Sequence, residues 1–135
     1  MVRHQLDPAA IPDPEADRVW RAFPTAAMSA REVRGAVKEY SWDAMVAYAQ
    51  ATLARQLFSR RQVFEVVVDF WANHLTVPMP SDVSWDVGCS YHNDVIRGHA
   101  LGTFTDLLTA AMRHPGLVQG WWKGFDYTSR NSWYP

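Results

Sequence analysis

The sequence predicts an all-α protein, an irregular bundle of about five helices with irregular termini. Apolar residues recur three or four positions apart through most of the chain, and no stretch shows the period-2 alternation of a half-buried strand. Ser followed three residues later by Glu or Gln precedes two of these stretches, which is a helix N-terminal signature. The chain has 135 residues, 48% hydrophobic and 20% charged, as expected of a single globular domain.

The chain divides into three predicted parts. Four of the eight prolines lie in residues 1–28, which predicts an irregular arm with one helical turn around Glu15–Arg21. A helical domain is predicted over residues 29–115, and residues 116–135 lack any periodicity. The helical domain begins with Ser29 and Glu32, which form the pattern of a capping box ahead of a short helix.

Ser41 is the predicted N-cap of the next helix. We expect its apolar stripe to face the core and its opposite side, with Ala51 and Arg55, to face away. The stripe comprises Trp42, Val46, Ala49, Leu53 and Leu57.

The most hydrophobic stretch, from about 60 to 75, is predicted to be the central helix. Its polar residues recur at helical spacing: Gln62, Glu65, Asp69, Asn73 and Thr76. On a helical wheel Val67 lies in the middle of the apolar arc. Four residues fall close to it: Val63, Phe70, Trp71 and His74. His74 is therefore predicted to face the core, in the last turn before Pro78 and Pro80 end the helix.

The remaining segments follow from their turn signals. Residues 77–88 form a long loop, which is expected to be either functional or poorly ordered. A helix is predicted from about Ser90 to His99, and a second one from Thr103 to His114. Trp42 and Trp71 are expected in the core. Three other tryptophans are expected in an exposed patch of the tail: Trp121, Trp122 and Trp133.

Composition excludes several classes of function. The formal net charge is −1 and no block of Lys or Arg occurs, so nothing indicates binding to nucleic acid. No apolar run is long enough to cross a membrane. No apolar leader precedes the arm, which by itself predicts a cytoplasmic protein. Cys89 is the single cysteine, so it forms no internal disulfide, and we expect it to be a small core residue.

The histidines are the candidate groups for chemistry. His74 is either a neutral, hydrogen-bonded core residue or a ligand, base or switch. His92 and His99 are seven residues apart, about 10.5 Å along a helix, which is too far for the local chelation of one ion. A metal site would need residues from several helices, such as these three histidines with Asp94. The sequence thus leaves both metal and cofactor undetermined.

Two carboxylates, Glu65 and Asp69, lie one turn apart on the predicted polar face. Such a pair can act in acid–base catalysis when one member is buried. We favour a structural ion pair with an arginine of a neighbouring segment, with Arg97, Arg60 and Arg61 as candidates.

The segments SRRQVFEVVVDFWANHLTV and YHNDVIRGHALGTFTDLLTAAMRHPGL resemble a large bacterial family called domain of unknown function 1800. The matching positions are Ser59, Arg61, Gln62, Glu65, Phe70, Trp71, Asn73, His74, Ile96, Arg97, His99, Ala100, Leu101, Gly102, Phe104, Leu107, Leu108, His114 and Pro115. The resemblance implies an α-helical, often exported protein of unknown activity. It also implies a partner, because members are frequently encoded beside a sulfatase-like protein.

Members of this family are longer, and their second acid- and His-rich motif has no counterpart here, so the resemblance predicts a truncated member. We therefore expect an uncharacterised helical domain that acts at most as an interaction module. The alternative is half of a metal-assisted or His-based hydrolase-type active site, completed by residues missing here. Its candidate catalytic residues are Asn73, His74, Arg97 and His99. A third possibility is a gene remnant without a function of its own.

Overall fold

The computed structural model describes residues 5–119, and all of its regular structure is helical. Its helices are α1 (Pro14–Arg21), α2 (Ala30–Ala36), α3 (Asp43–Phe58), α4 (Gln62–His74), α5 (Gly88–Ser90) and α6 (Phe104–Arg113). α5 continues without a break into a π-helix, Tyr91–Arg97. Short 3-10 turns occupy Pro8–Ala10 and Pro24–Ala27. The predicted all-α class is confirmed. Within this part of the chain, no helix combines the length and hydrophobicity needed to cross a membrane.

The Pro-rich arm is more ordered than its composition predicts. Pro14 begins α1, where a residue without an N–H fits because the first turn has no helical acceptor for it. α1 packs against α3. The Trp20 ring meets Tyr48 edge-on at 5.8 Å, and the Arg55 guanidinium lies 3.9 Å above the centre of the same Trp20 ring. The arm therefore covers one side of α3.

The face of α3 that is buried differs from the predicted one. Ala44, Met45, Tyr48 and Ala51 are buried, whereas most of the predicted core stripe is exposed. The exposed large members of that stripe are Trp42, Val46, Leu53 and Leu57. The wheel selects the face with the most hydrophobic surface, but small alanines let neighbouring segments approach the helix closely. The predictions for the stripe, for Trp42 and for the far side of the helix are wrong.

The central helix α4 is likewise rotated relative to the prediction. Its buried residues are Glu65 and Val68, while Phe64, Val67 and Trp71 are partly buried and pack against the same core. Val66, Phe70 and His74 are exposed. The prediction that His74 faces the core is therefore wrong. The helical wheel assigns the charged Glu65 to solvent. Because Glu65 is buried instead, the predicted orientation of the whole helix about its axis is wrong.

Two hydrophobic cores hold the helices together. The first core joins α4, the π-helix and α6, and contains Val68, Leu75, Val77, Tyr91, Val95, Ile96, Ala100, Leu107, Ala111 and Leu117. The second core joins α2, α3 and α5 with the Pro24–Ala27 turn, and contains Ala26, Val33, Ala44, Tyr48, Ala51 and Cys89. Cys89 is buried, as predicted, and its thiol donates to the carbonyl of Ala44 at 3.4 Å. Burial raises the pKa of this thiol to about 11.

The segment between α4 and α5 is packed rather than open. Val77, Ser84, Asp86 and Val87 are buried in it. The Ser84 hydroxyl donates to the carbonyl of Pro78 within the segment. Internal bonds of this kind order a loop of this length.

Candidate functional site

A buried ion pair joins Arg97 of the π-helix to Glu65 of α4. Two parallel N–H···O bonds of 2.8 Å join the guanidinium to the carboxylate. Only 11% of the Arg97 side chain and 4% of the Glu65 side chain are exposed. Burial alone would lower the pKa of Arg97, but the hydrogen bonds and charge of Glu65 outweigh it and raise that pKa. The predicted structural ion pair is confirmed for Glu65, although it lies in the interior and not on a solvated face.

Asp69, the second carboxylate of the predicted pair, remains outside this interaction. It is exposed, and its Oδ1 accepts a hydrogen bond of 3.3 Å from the Gln56 side chain. The two carboxylates therefore occupy different environments and form no acid–base couple.

Asn73 and His74 lie together on the exposed side of α4. They line a shallow cleft of about 410 Å³ with Val66, Asp69 and Phe70, all from the same helix. The His74 ring stacks on Phe70, with centroids 5.7 Å apart and planes 11° from parallel. The Asn73 amide donates to the carbonyl of Asp69 at 2.8 Å.

The four candidate catalytic residues do not form a single group. Arg97 is held at Glu65, which is nine residues before His74, or about 13 Å along the helix axis, and on the opposite, buried face. His99 Nδ1 lies 3.0 Å from the carbonyl of Val95 in its own helical segment. The structure thus brings Asn73 and His74 together and places Arg97 elsewhere. This arrangement adds no support to the hydrolase-type hypothesis.

His92, considered above as a metal ligand, is packed between two tyrosines. Its ring centre lies 5.4 Å from that of Tyr48 and 5.7 Å from that of Tyr91. Burial lowers the pKa of His92 to about 4, against a weaker opposing effect of the Val77 backbone, so the ring is neutral at pH 7. Across residues 5–119, no group of three or more His, Cys, Asp or Glu side chains could hold a metal ion.

The residues of the Ser59–Gln62 motif form hydrogen bonds that stabilise the connection between α3 and α4. Asp13 of the arm, which is buried, accepts hydrogen bonds from the Ser59 hydroxyl at 2.5 Å and the Arg60 amide at 3.1 Å. Arg61 Nε donates to the carbonyl of Ile11 at 3.0 Å. Gln62 Nε2 donates to the carbonyl of Ser59 at 2.6 Å. These motif residues therefore have structural partners, and the role of Asp13 was not predicted from the sequence.

A second feature missed at the level of sequence is a continuous aromatic surface. The Trp71 ring stacks on Phe104 at 5.8 Å, and Phe70 meets Trp71 edge-on at 4.9 Å. Along α4 and α6, further apolar side chains extend it at a spacing of four residues. We define the aromatic surface as Val66, Phe70, Trp71, Phe104, Leu108 and Met112. The i, i+4 spacing is visible in the sequence, but there Phe70 and Trp71 fall on the arc that is predicted to face the core.

Comparison with known proteins gives a family and no activity. The family model described as "Protein of unknown function (DUF1800)" matches residues 1–119. No curated protein and no solved structure matches this chain. A match over so much of the 135 residues agrees with the motifs noted above. The chain belongs to the DUF1800 family of proteins of unknown function.

Proposed function

We propose that this protein is an interaction module that binds an apolar helical segment of a partner protein on its aromatic surface. One observation carries the proposal, which is the exposure of large apolar side chains that adjoin one another. Val66, Phe70, Phe104 and Met112 are 65%, 55%, 52% and 54% exposed. Contiguous apolar patches of this kind are rare on proteins that bind nothing and mark interaction sites.

The form of the surface supports a helical partner. One row of side chains follows α4 through Val66 and Phe70, and the other follows α6 through Phe104, Leu108 and Met112. Trp71 joins the two rows. Its ring is fixed because Nε1 donates to the carbonyl of Ala100 at 3.1 Å. An amphipathic helix, with apolar side chains three or four positions apart, is the type of segment that packs on such rows.

The family supplies a candidate for the partner. Members are frequently encoded beside a sulfatase-like protein, and products of adjacent genes are reasonable first partners to test. We therefore propose that the aromatic surface binds a sulfatase-like protein of the kind that the family resemblance implies as a partner.

The test uses the full chain and a purified sulfatase-like protein from the same organism in isothermal titration calorimetry. We expect the double variant Phe70→Lys/Phe104→Lys to weaken binding at least about thirtyfold, because it puts two charges into the contact. Leu53→Lys is the matched control. It charges an exposed apolar residue of α3 outside the defined surface, and it should leave the affinity unchanged.

Two results would contradict the proposal. The first is an equal affinity for the wild-type chain and the double variant, with far-UV circular dichroism showing both to be folded. The second is a homodimer, found by sedimentation equilibrium, that dissociates in the double variant. In that case the surface is covered by a second copy of the chain and not by a different protein.

A further inference from the structure

A second cleft lies apart from the aromatic surface, between the turn after α2 and the loop before α5. Its volume is about 420 Å³, and its lining includes two aromatic rings, three carboxylates and one guanidinium. These groups are Tyr40, Trp85, Glu39, Asp82, Asp86 and Arg34. We call it the aromatic–acidic cleft.

The aromatic rings of the cleft are placed by an unusual backbone conformation. Ser41 N–H donates to the carbonyl of Lys38 at 2.9 Å and closes a turn. Tyr40, the third residue of this turn, has a φ of 62°, a value that favours Gly or Asn. Tyr40 as a whole residue is 56% exposed, and its ring lies 6.0 Å from that of Trp85, tilted by 56°. The strained residue therefore holds a large aromatic ring at the mouth of the cleft.

The charges of the cleft are unbalanced. Arg34 Nε donates to Asp86 Oδ2 at 2.6 Å, and these two charges neutralise each other. Glu39 and Asp82 remain, so the lining carries an excess of two negative charges. Asp82 is oriented by the Trp42 indole N–H, which donates to its Oδ1 at 3.0 Å.

Asp86 is a largely buried carboxylate in the lining of the cleft. Only 10% of its side chain is exposed. Among residues 5–119, its carboxylate accepts a hydrogen bond from Arg34. That donor engages Oδ2 of the carboxylate.

We propose that the aromatic–acidic cleft binds an organic cation, an ammonium group with alkyl substituents. The cation lies against the faces of Trp85 and Tyr40, whose π electrons attract positive charge. Asp82 and Glu39 supply the opposing charge. Alkyl substituents favour aromatic faces over full hydration, whereas a bare metal ion would require a set of oxygen ligands instead. The source of the ammonium group is either a free small molecule or a lysine side chain of a polypeptide.

The first experiment titrates the full chain with choline and follows the amide signals of residues 34–40 and 82–86 by NMR. The matched probe is 3,3-dimethylbutan-1-ol, a neutral molecule of the same shape. We expect choline to bind and the neutral alcohol to bind at least about tenfold more weakly, since only the charge differs. A lysine with both termini blocked distinguishes the sources: stronger binding than choline assigns the site to a polypeptide. Equal binding of choline and the neutral alcohol, or no binding of either cation, overturns the proposal.

The second experiment separates a binding role from a structural one. Tyr40→Asn removes the ring and places a residue that tolerates a positive φ. We expect this variant to melt at a higher temperature than the wild type and to bind choline at least about tenfold more weakly. Glu39→Gln should weaken choline binding, whereas Glu15→Gln, which removes an exposed carboxylate of α1, should not. Unchanged choline affinity in Tyr40→Asn and Glu39→Gln would refute the proposal.

Discussion

At the scale of single residues, the pair Glu65–Arg97 explains why α4 is turned relative to its prediction. The sequence indicates the two partners, because both carry full charges within helical segments. It does not indicate that they meet inside the core. A carboxylate is assigned to solvent by default, since its burial is costly without a partner. The bidentate guanidinium of Arg97 meets that requirement, so the face with Glu65 becomes the buried one.

Replacing one member of this ion pair should lower the free energy of unfolding more than replacing both members. We expect Arg97→Met to lower the free energy of unfolding by about 3–5 kcal/mol, because it leaves the Glu65 carboxylate buried without a partner. The double variant Glu65→Leu/Arg97→Met should recover most of that loss. Urea denaturation of the two single variants and the double variant gives the coupling energy. Additive losses, with no recovery, would contradict a buried and mutually dependent pair.

His92 should make stability depend on pH. Its pKa falls from about 6.5 in the unfolded chain to about 4 in the folded protein, so between these values the unfolded chain binds more protons. The contribution of His92 is therefore complete above pH 6.5 and is lost as the pH falls towards 4. Its size is about 3 kcal/mol. Urea midpoints at pH 4.5 and 7 should differ less in His92→Gln than in the wild type, with some dependence left from His114, whose pKa burial also lowers. An identical pH dependence in both proteins would disprove the role of His92.

At the scale of helices, the sequence predicts where they lie better than which side they bury. The capping box at Ser29 and Glu32 is present, and Thr103 caps α6 as predicted. These local signals depend on a few neighbouring residues. The buried faces of α3 and α4 depend on contacts with the arm and with the π-helix, which no local pattern contains. The π-helix itself was predicted only as a helix, because its apolar spacing over seven residues suits either geometry.

The cap of α6 should determine how well one row of the aromatic surface is ordered. Thr103 Oγ1 accepts from the Asp106 amide at 3.2 Å and donates to its carboxylate at 2.7 Å. We expect Thr103→Ala to lower the free energy of unfolding by about 1 kcal/mol. Thr109→Ala is the matched control, an exposed threonine within the same helix, and it should have no effect or a slightly stabilising one. A cap role would be ruled out if thermal denaturation found the two variants equally stable.

At the scale of the whole molecule, the helical class and the family were predictable from the sequence, but the candidate site was not. The motif residues that identify the family, such as Ser59 and Arg61, join the arm to the α3–α4 corner. Two residues of the aromatic surface, Phe70 and Trp71, are positions that the sequence assigns to the interior. Burial of an apolar side chain is favourable whether it packs against its own chain or against a partner protein. Intramolecular and intermolecular burial therefore have the same signature in the sequence.

The chain also contains a reporter of its own opening. Cys89 is its one cysteine, is 1% exposed, and lies in the second core. A thiol reagent can reach it only when that core separates, so the labelling rate measures how often separation occurs. We expect labelling at pH 8 to be at least about a thousandfold slower than that of a free peptide thiol. Val33→Ala, which truncates a buried side chain of the same core, should accelerate it, and a rate insensitive to that change would show that the reagent enters by another route. The rate at which the Cys89 thiol is modified would thus report how often the second core opens, without the introduction of any other probe.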